Sequence, residues 1–151
     1  MSASIPCLQV PAPGRSSTVS TAKILLVDDH AQLRSALRMI LASAGYSVLE
    51  AMTGEEALAK VEKEGAIGVI LLDLTMPGMG GLEACRRLRK ITQTPILVIS
   101  VRREKEDKVE ASEAGADDYL VKPFGIQELL SRIQVLLRMA ANLNPSRAFE
   151  A

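Results

Sequence analysis

Four short apolar runs, each stopping on a polar residue, constrain this chain more than any other feature. They are Ile24-Leu25-Leu26-Val27 before Asp28-Asp29, Val69-Ile70-Leu71-Leu72 before Asp73, Ile96-Leu97-Val98-Ile99 before Ser100, and Tyr119-Leu120-Val121 before Lys122. Unbroken apolar runs of this length suit strands buried on both faces, as in a parallel sheet covered by helices. The carboxyl ends of such strands share one edge, and ligands bind there. Residues spread over roughly a hundred positions would then meet as three carboxylates, a hydroxyl and an amine.

The segments between the runs carry helix signals. After the first strand, about Lys23 to Val27, Leu33, Leu37, Ile40 and Leu41 share one helical face that ends near Gly45. A second strand is expected at about Ser47 to Ala51. Thr53 or Gly54 then opens a helix with Ala57, Leu58 and Val61 inward, closed by Gly65. Leu82, Cys85 and Leu88 mark a third helix. A weakly apolar fourth is expected at about Glu104 to Ala114, and Asp117 to Val121 follows as the fifth strand. The last helix, about Gln127 to Met139, carries a stripe of Leu130, Ile133, Leu136 and Leu137. Five strands alternating with five helices predict an α/β fold: a doubly wound, five-stranded parallel sheet with right-handed crossovers. The 151 residues allow one such domain, here 22–140. A leader, 1–21, with Pro6, Pro11, Pro13 and Gly14, is expected to be flexible, and 141–151 to be a flexible tail or the start of a linker.

Composition excludes several partner classes. Lys+Arg and Asp+Glu both number 18, so zero formal net charge offers no general attraction to nucleic acid or to an anionic membrane. No run approaches the ~20 apolar residues a membrane helix needs. The leader lacks the continuous hydrophobic segment of a secretory signal, so a cytoplasmic location is expected. Cys7 and Cys85 cannot form a metal motif by spacing, and Cys85 reads as a buried thiol on the third helix's apolar stripe.

The sheet-edge residues point to phosphoryl chemistry on a metal. Asp28-Asp29 alone would serve as a helix cap. With Asp73 beside them, three acids repel one another, and a hard divalent cation such as Mg2+ relieves the repulsion. Asp73 can also act as a nucleophile, since a carboxylate that attacks phosphorus becomes an acyl phosphate. Metal and lysine would neutralise the transferring group, which suits Lys122 on a loop fixed by Pro123. Ser100 could hydrogen-bond a phosphoryl oxygen.

Three segments, 26–29, 71–81 and 115–124, resemble the CheY-like receiver domain of two-component response regulators, over about Lys23 to Arg138. The resemblance implies a flavodoxin-like (βα)5 fold in which a sensor histidine kinase phosphorylates Asp73. It implies Mg2+ held by Asp28, Asp29, Asp73 and the backbone carbonyl of Thr75, with Lys122 and Ser100 on the phosphoryl group. Tyr119 becomes a switch aromatic that moves with Ser100, and a cis peptide is expected before Pro123. The stretch 117–138 is similar to OmpR/PhoB-type transcription factors, closest to KdpE-like receivers. Those form phosphorylation-dependent homodimers through the fourth helix, fifth strand and fifth helix. Matched by position, Lys108 would pair with Glu128 and Asp118 with Arg132 across the dimer.

Such regulators continue into a winged-helix DNA-binding domain. This sequence holds no recognition helix or basic patch, so the chain itself is not expected to bind DNA. It reads as a stand-alone receiver or as the receiver portion of a longer transcriptional regulator. A hydrolase acting through an aspartyl phosphate would need a second acid two positions after the nucleophile, where Thr75 stands. An enzyme is therefore not expected.

Overall fold

The computed structural model describes residues 22–74 and 80–143, the last three as backbone. The leader with Cys7, the carbonyl of Thr75 and positions beyond 143 lie outside the described residues. Five strands form one parallel sheet: β1 (Lys23–Val27), β2 (Ser47–Ala51), β3 (Val69–Asp73), β4 (Ile96–Ser100) and β5 (Asp118–Val121). Their spatial order is β2-β1-β3-β4-β5. The order reverses direction between β1 and β3, whose registers align Ile24 with Val69 and Val27 with Leu72. That crevice is where a doubly wound sheet receives ligands.

Among the described residues four helices connect the strands, α1 (Ala31–Ser43), α2 (Gly54–Glu64), α3 (Gly81–Ile91) and α4 (Lys105–Glu113), and α5 (Ile126–Leu143) follows β5. Strand alternation divides the core in two. Leu25, Val27, Ile70, Leu72, Ile96 and Val98 face α2, α3 and α4, where they meet Ala57, Cys85, Leu88 and Ala111. Ile24, Leu26, Val69, Leu71, Leu97 and Ile99 face Leu37 and Leu41 of α1 and Leu129, Ile133 and Leu136 of α5. Both faces of β1, β3 and β4 are covered, which explains their continuous apolar runs.

Several local expectations hold. Thr53 caps α2 by accepting from the Glu56 amide at 3.0 Å, and Glu56 in turn accepts from the Met52 amide at 2.7 Å. Gly65 closes α2 at φ 77°, a left-handed conformation open to glycine. Cys85 is buried, and the Lys122–Pro123 peptide is cis.

Other elements differ from the pattern reading. The β2 and β5 edge strands are only half-buried, with Ser47 exposed, because each lacks a neighbour on one side. The fully buried Leu129 extends the α5 stripe at i, i+4, i+7 with Ile133 and Leu136, while Leu130 and Leu137 flank it. Helix α5 also continues to Leu143, so a boundary at 140 falls inside it. Ala140, Ala141 and Leu143 are good helix formers, which favours propagation of an established helix.

Candidate functional site

Three acids converge where β1 and β3 end. One carboxylate oxygen from each of Asp28, Asp29 and Asp73 lies within 4.8 Å of the others. Asp28 and Asp73 are only 2% and 4% exposed, whereas Asp29 is open to solvent. The Lys122 ammonium lies 3.1 Å from Asp73 Oδ2, directed there from the end of β5. Ser100 is fully buried at the end of β4, where its Oγ accepts from the Arg102 amide at 3.0 Å.

Asp28 and Asp73 each have a backbone reason for their place. The Asp28 amide continues the ladder beyond β1 by donating to Ala51 O at 3.0 Å, and Asp28 Oδ1 accepts from the His30 amide at 2.8 Å. His30, not either aspartate, caps α1: its Nδ1 accepts from the Leu33 amide at 3.3 Å. Asp28 and Asp29 are thus spared the capping role that an isolated acid pair would take. Asp73 is seated by the helix after it. A Cβ on Gly81 would overlap the Leu74 backbone and come within 2.8 Å of the Asp73 carbonyl oxygen. Only glycine lets α3 start this close to the β3 end.

The electrostatics of the cluster are unbalanced. Burial chiefly raises the Asp28 pKa above the ordinary 3.8. The His30 amide opposes the rise, the Asp73 charge adds to it, and Lys122 lowers it. Three hard oxygen donors at this spacing, with a single ammonium against them, fit a small divalent cation. Bound there, the ion would supply charge neutralisation for a phosphoryl group.

The residues expected to carry the output lie along α4, β5 and α5. Tyr119 is half-buried, and its hydroxyl donates to the Arg102 carbonyl at 2.8 Å. Asp118 accepts two hydrogen bonds from Arg132 Nη1, both 2.9 Å, and Arg132 Nη2 lies 3.3 Å from Glu128. The Asp118–Arg132 pair, expected between chains, closes here within one chain. Lys108 is exposed on α4, and among the described residues no ion pair joins it to Glu128.

Sequence reasoning passed over Arg34, Glu50, Gly81 and Arg89. Arg34 Nη1 donates to the Asp28 carbonyl at 2.8 Å, and its Nε meets Glu50 at 2.9 Å. The two sit 16 positions apart, and each alone reads as a surface charge. The Gly80-Gly81 pair was a visible signal, since the second glycine opens a helix where a turn needs only one.

The response regulator receiver domain family matches residues 24–134. The transcriptional regulatory protein ResD of Bacillus subtilis (strain 168) is 46% identical over 119 residues, covering 79% of this chain and 49% of that protein. KdpE of Mycobacterium tuberculosis (strain H37Rv) is 42% identical over 115 residues, or 76% of this chain and 50% of that protein. The solved structure of Vibrio cholerae chemotaxis protein CheY4 superposes with a TM-score of 0.73 at 38% identity, over 77% of this chain and 98% of that one. The chain spans about half the length of the curated relatives it matches. Among the described residues no helix is long and apolar enough to cross a membrane. Over most of its length, then, this chain belongs to the response regulator receiver domain family of two-component signalling.

Proposed function

We propose that Asp73 is the phosphoacceptor, with Asp28, Asp29 and the Thr75 carbonyl holding Mg2+ beside it. The observation that carries this reading is the buried Asp73 carboxylate between Lys122 at 3.1 Å and the two other acids within 4.8 Å. A carboxylate oxygen of Asp73 attacks the phosphorus of a phosphohistidine on a sensor kinase. The P–O bond forms as the P–N bond breaks, and the departing imidazole takes up a proton. Lys122 is placed to pair with the new charge. Ser100 Oγ, in releasing the Arg102 amide, is free to donate to a phosphoryl oxygen. The Tyr119 hydroxyl is bonded to the same residue's carbonyl, so a shift of the 100–102 turn reaches the α4, β5 and α5 face.

Labelling with a small phosphodonor and Mg2+ tests the assignment. One acid-stable, alkali-labile phosphate per chain is expected, lost completely in Asp73→Asn with the fold retained. Labelling that persists in that variant, or multiple turnover of a phosphomonoester, overturns it.

The output proposal is a cytoplasmic homodimer formed on phosphorylation, in which Lys108, Asp118, Glu128 and Arg132 re-pair between chains. The relatives that support it are transcriptional regulators of which the matched stretch is about half. Such a regulator would bind DNA through another domain and not through this one. Light scattering with beryllofluoride and Mg2+ should show the mass doubling. An unchanged monomer at high concentration refutes the dimer and leaves the Asp73 assignment standing.

A further inference from the structure

We infer that Arg34 is a positioning residue for the metal-binding acids, acting through the Asp28 carbonyl with Glu50 as its anchor. The inference rests on the proposal that Asp28, Asp29 and Asp73 bind Mg2+.

The Asp28 residue is held on three sides. Its amide donates to Ala51 O, its Oδ1 accepts from the His30 amide, and its carbonyl oxygen accepts from Arg34 Nη1 at 2.8 Å. The third bond is the one that reaches Asp29. The carbonyl of Asp28 and the amide of Asp29 lie in one rigid peptide plane, so fixing the oxygen fixes how the chain enters Asp29. Asp29 is exposed and has no burial to orient it. Its carboxylate must nevertheless stay near Asp28 and Asp73 against mutual repulsion.

Arg34 is built for this reach. It lies in the first turn of α1, and helical side chains lean toward the N-terminus, which carries its guanidinium back over the 28–30 turn. Its amide also donates to the His30 carbonyl at 2.9 Å, so backbone and side chain grip opposite ends of that turn. The side chain is 14% exposed, and a charge so far from water needs a partner. Glu50 Oε1 on β2 provides it at 2.9 Å, while Glu50 Oε2 takes Arg38 at 2.9 Å. The planar fork lets one guanidinium serve the carboxylate and the carbonyl together, which a lysine cannot do with the same geometry. Arg38, 57% exposed, shares Glu50 but is not bonded to the turn.

Titration of the unphosphorylated protein with Mg2+ alone tests the inference, followed by the amide signals of Asp29 and His30. Arg34→Gln should weaken binding about tenfold in the folded protein, as loss of a group orienting metal ligands does. Arg34→Lys should recover part of the loss, and Glu50→Gln should fall between wild type and Arg34→Gln. Arg38→Gln should stay within about twofold, as should Leu41→Ala, which truncates the core side of the same helix and lowers stability. Equal affinities for Arg34→Gln and Arg38→Gln overturn the inference. So does a loss in Leu41→Ala as large as in Arg34→Gln, because affinity would then merely follow stability. Should Arg34→Gln fail to fold, Glu50→Gln and Arg34→Lys carry the same comparison. A wild-type protein without Mg2+-dependent shifts at Asp28, Asp29 and Asp73 refutes the metal assignment itself, a result distinct from the others.

Discussion

The two edges of the sheet handle charge in opposite ways. At the carboxyl edge, Asp28, Asp29 and Asp73 crowd together with Lys122 against them, and the Asp28 pKa is raised by burial and by Asp73. At the amino edge, Arg89 of α3 donates to Gly115 O from both Nε and Nη2, to Thr92 O, and to Asp117 Oδ2 at 2.7 Å. Asp117 Oδ2 also accepts from the Ile96 amide at 2.9 Å, and Thr94 Oγ1 donates to Ile67 O. One edge satisfies its polar groups within the chain; at the other, the described residues set the Lys122 ammonium against three carboxylates. The difference teaches where to look for chemistry: a buried acid with a raised pKa, Asp28, marks the edge where acids cluster.

The largest expected effect comes from Gly81→Ala, which pushes α3 against the backbone of Asp73 and Leu74. Overpacking against main chain should cost about 2–4 kcal/mol in denaturant unfolding. It should also slow labelling of the folded protein, because the displaced group is the Asp73 peptide. Normal labelling in a folded Gly81→Ala protein would show that the carboxyl edge tolerates movement.

Arg89→Met should cost about 2 kcal/mol, allowing for solvent screening of the half-exposed Asp117. Here the comparison is sharpest. Mg2+ affinity and labelling per folded molecule should be unchanged, since this lock lies at the far edge. A parallel loss of both stability and labelling would show the edges to be coupled.

The smallest effect is in pH. A carboxyl whose folded pKa is raised binds its proton more tightly in the folded state than in the unfolded one. The stability it contributes is full below the ordinary value of 3.8 and is lost as pH rises through the higher folded value. Without metal, wild type relative to Asp28→Asn should therefore lose stability as the pH is raised from the ordinary carboxyl value of 3.8 to neutrality. Saturating Mg2+ should offset that loss, since the cation binds the ionised acids. Denaturant midpoints of the two proteins at both pH values measure it. A difference that does not change with pH would mean that folding leaves the Asp28 pKa unraised.

Much of this was legible along the chain because the signals are local. A strand buried on both faces is continuously apolar, and the polar residue that ends it is visible as a break, so Asp28, Asp73, Ser100 and Lys122 stand out one by one. The Thr53 cap and the Gly65 stop are equally local. The Arg34–Glu50 anchor and the Arg89–Asp117 lock, which is 28 positions apart, were not legible. An arginine or glutamate carries no mark of its partner, and charges on helix surfaces are ordinarily solvated. The burial of Leu129 was missed for a related reason, because its neighbour Leu130 fits the same stripe and only the side that α5 turns to the sheet separates them.

By itself, the sequence determined the alternation of strands and helices, the sheet edge that carries the acids, and the receiver motifs. Periodicity and the chemistry of strand ends are properties of consecutive residues. The tertiary structure alone decided which charges meet: that Asp118 pairs with Arg132 within one chain, that Gly81 seats Asp73, and that Arg34 reaches back to the Asp28 carbonyl. Electrostatic and steric contacts act over a few ångströms in space, and distance along the chain carries almost no information about them.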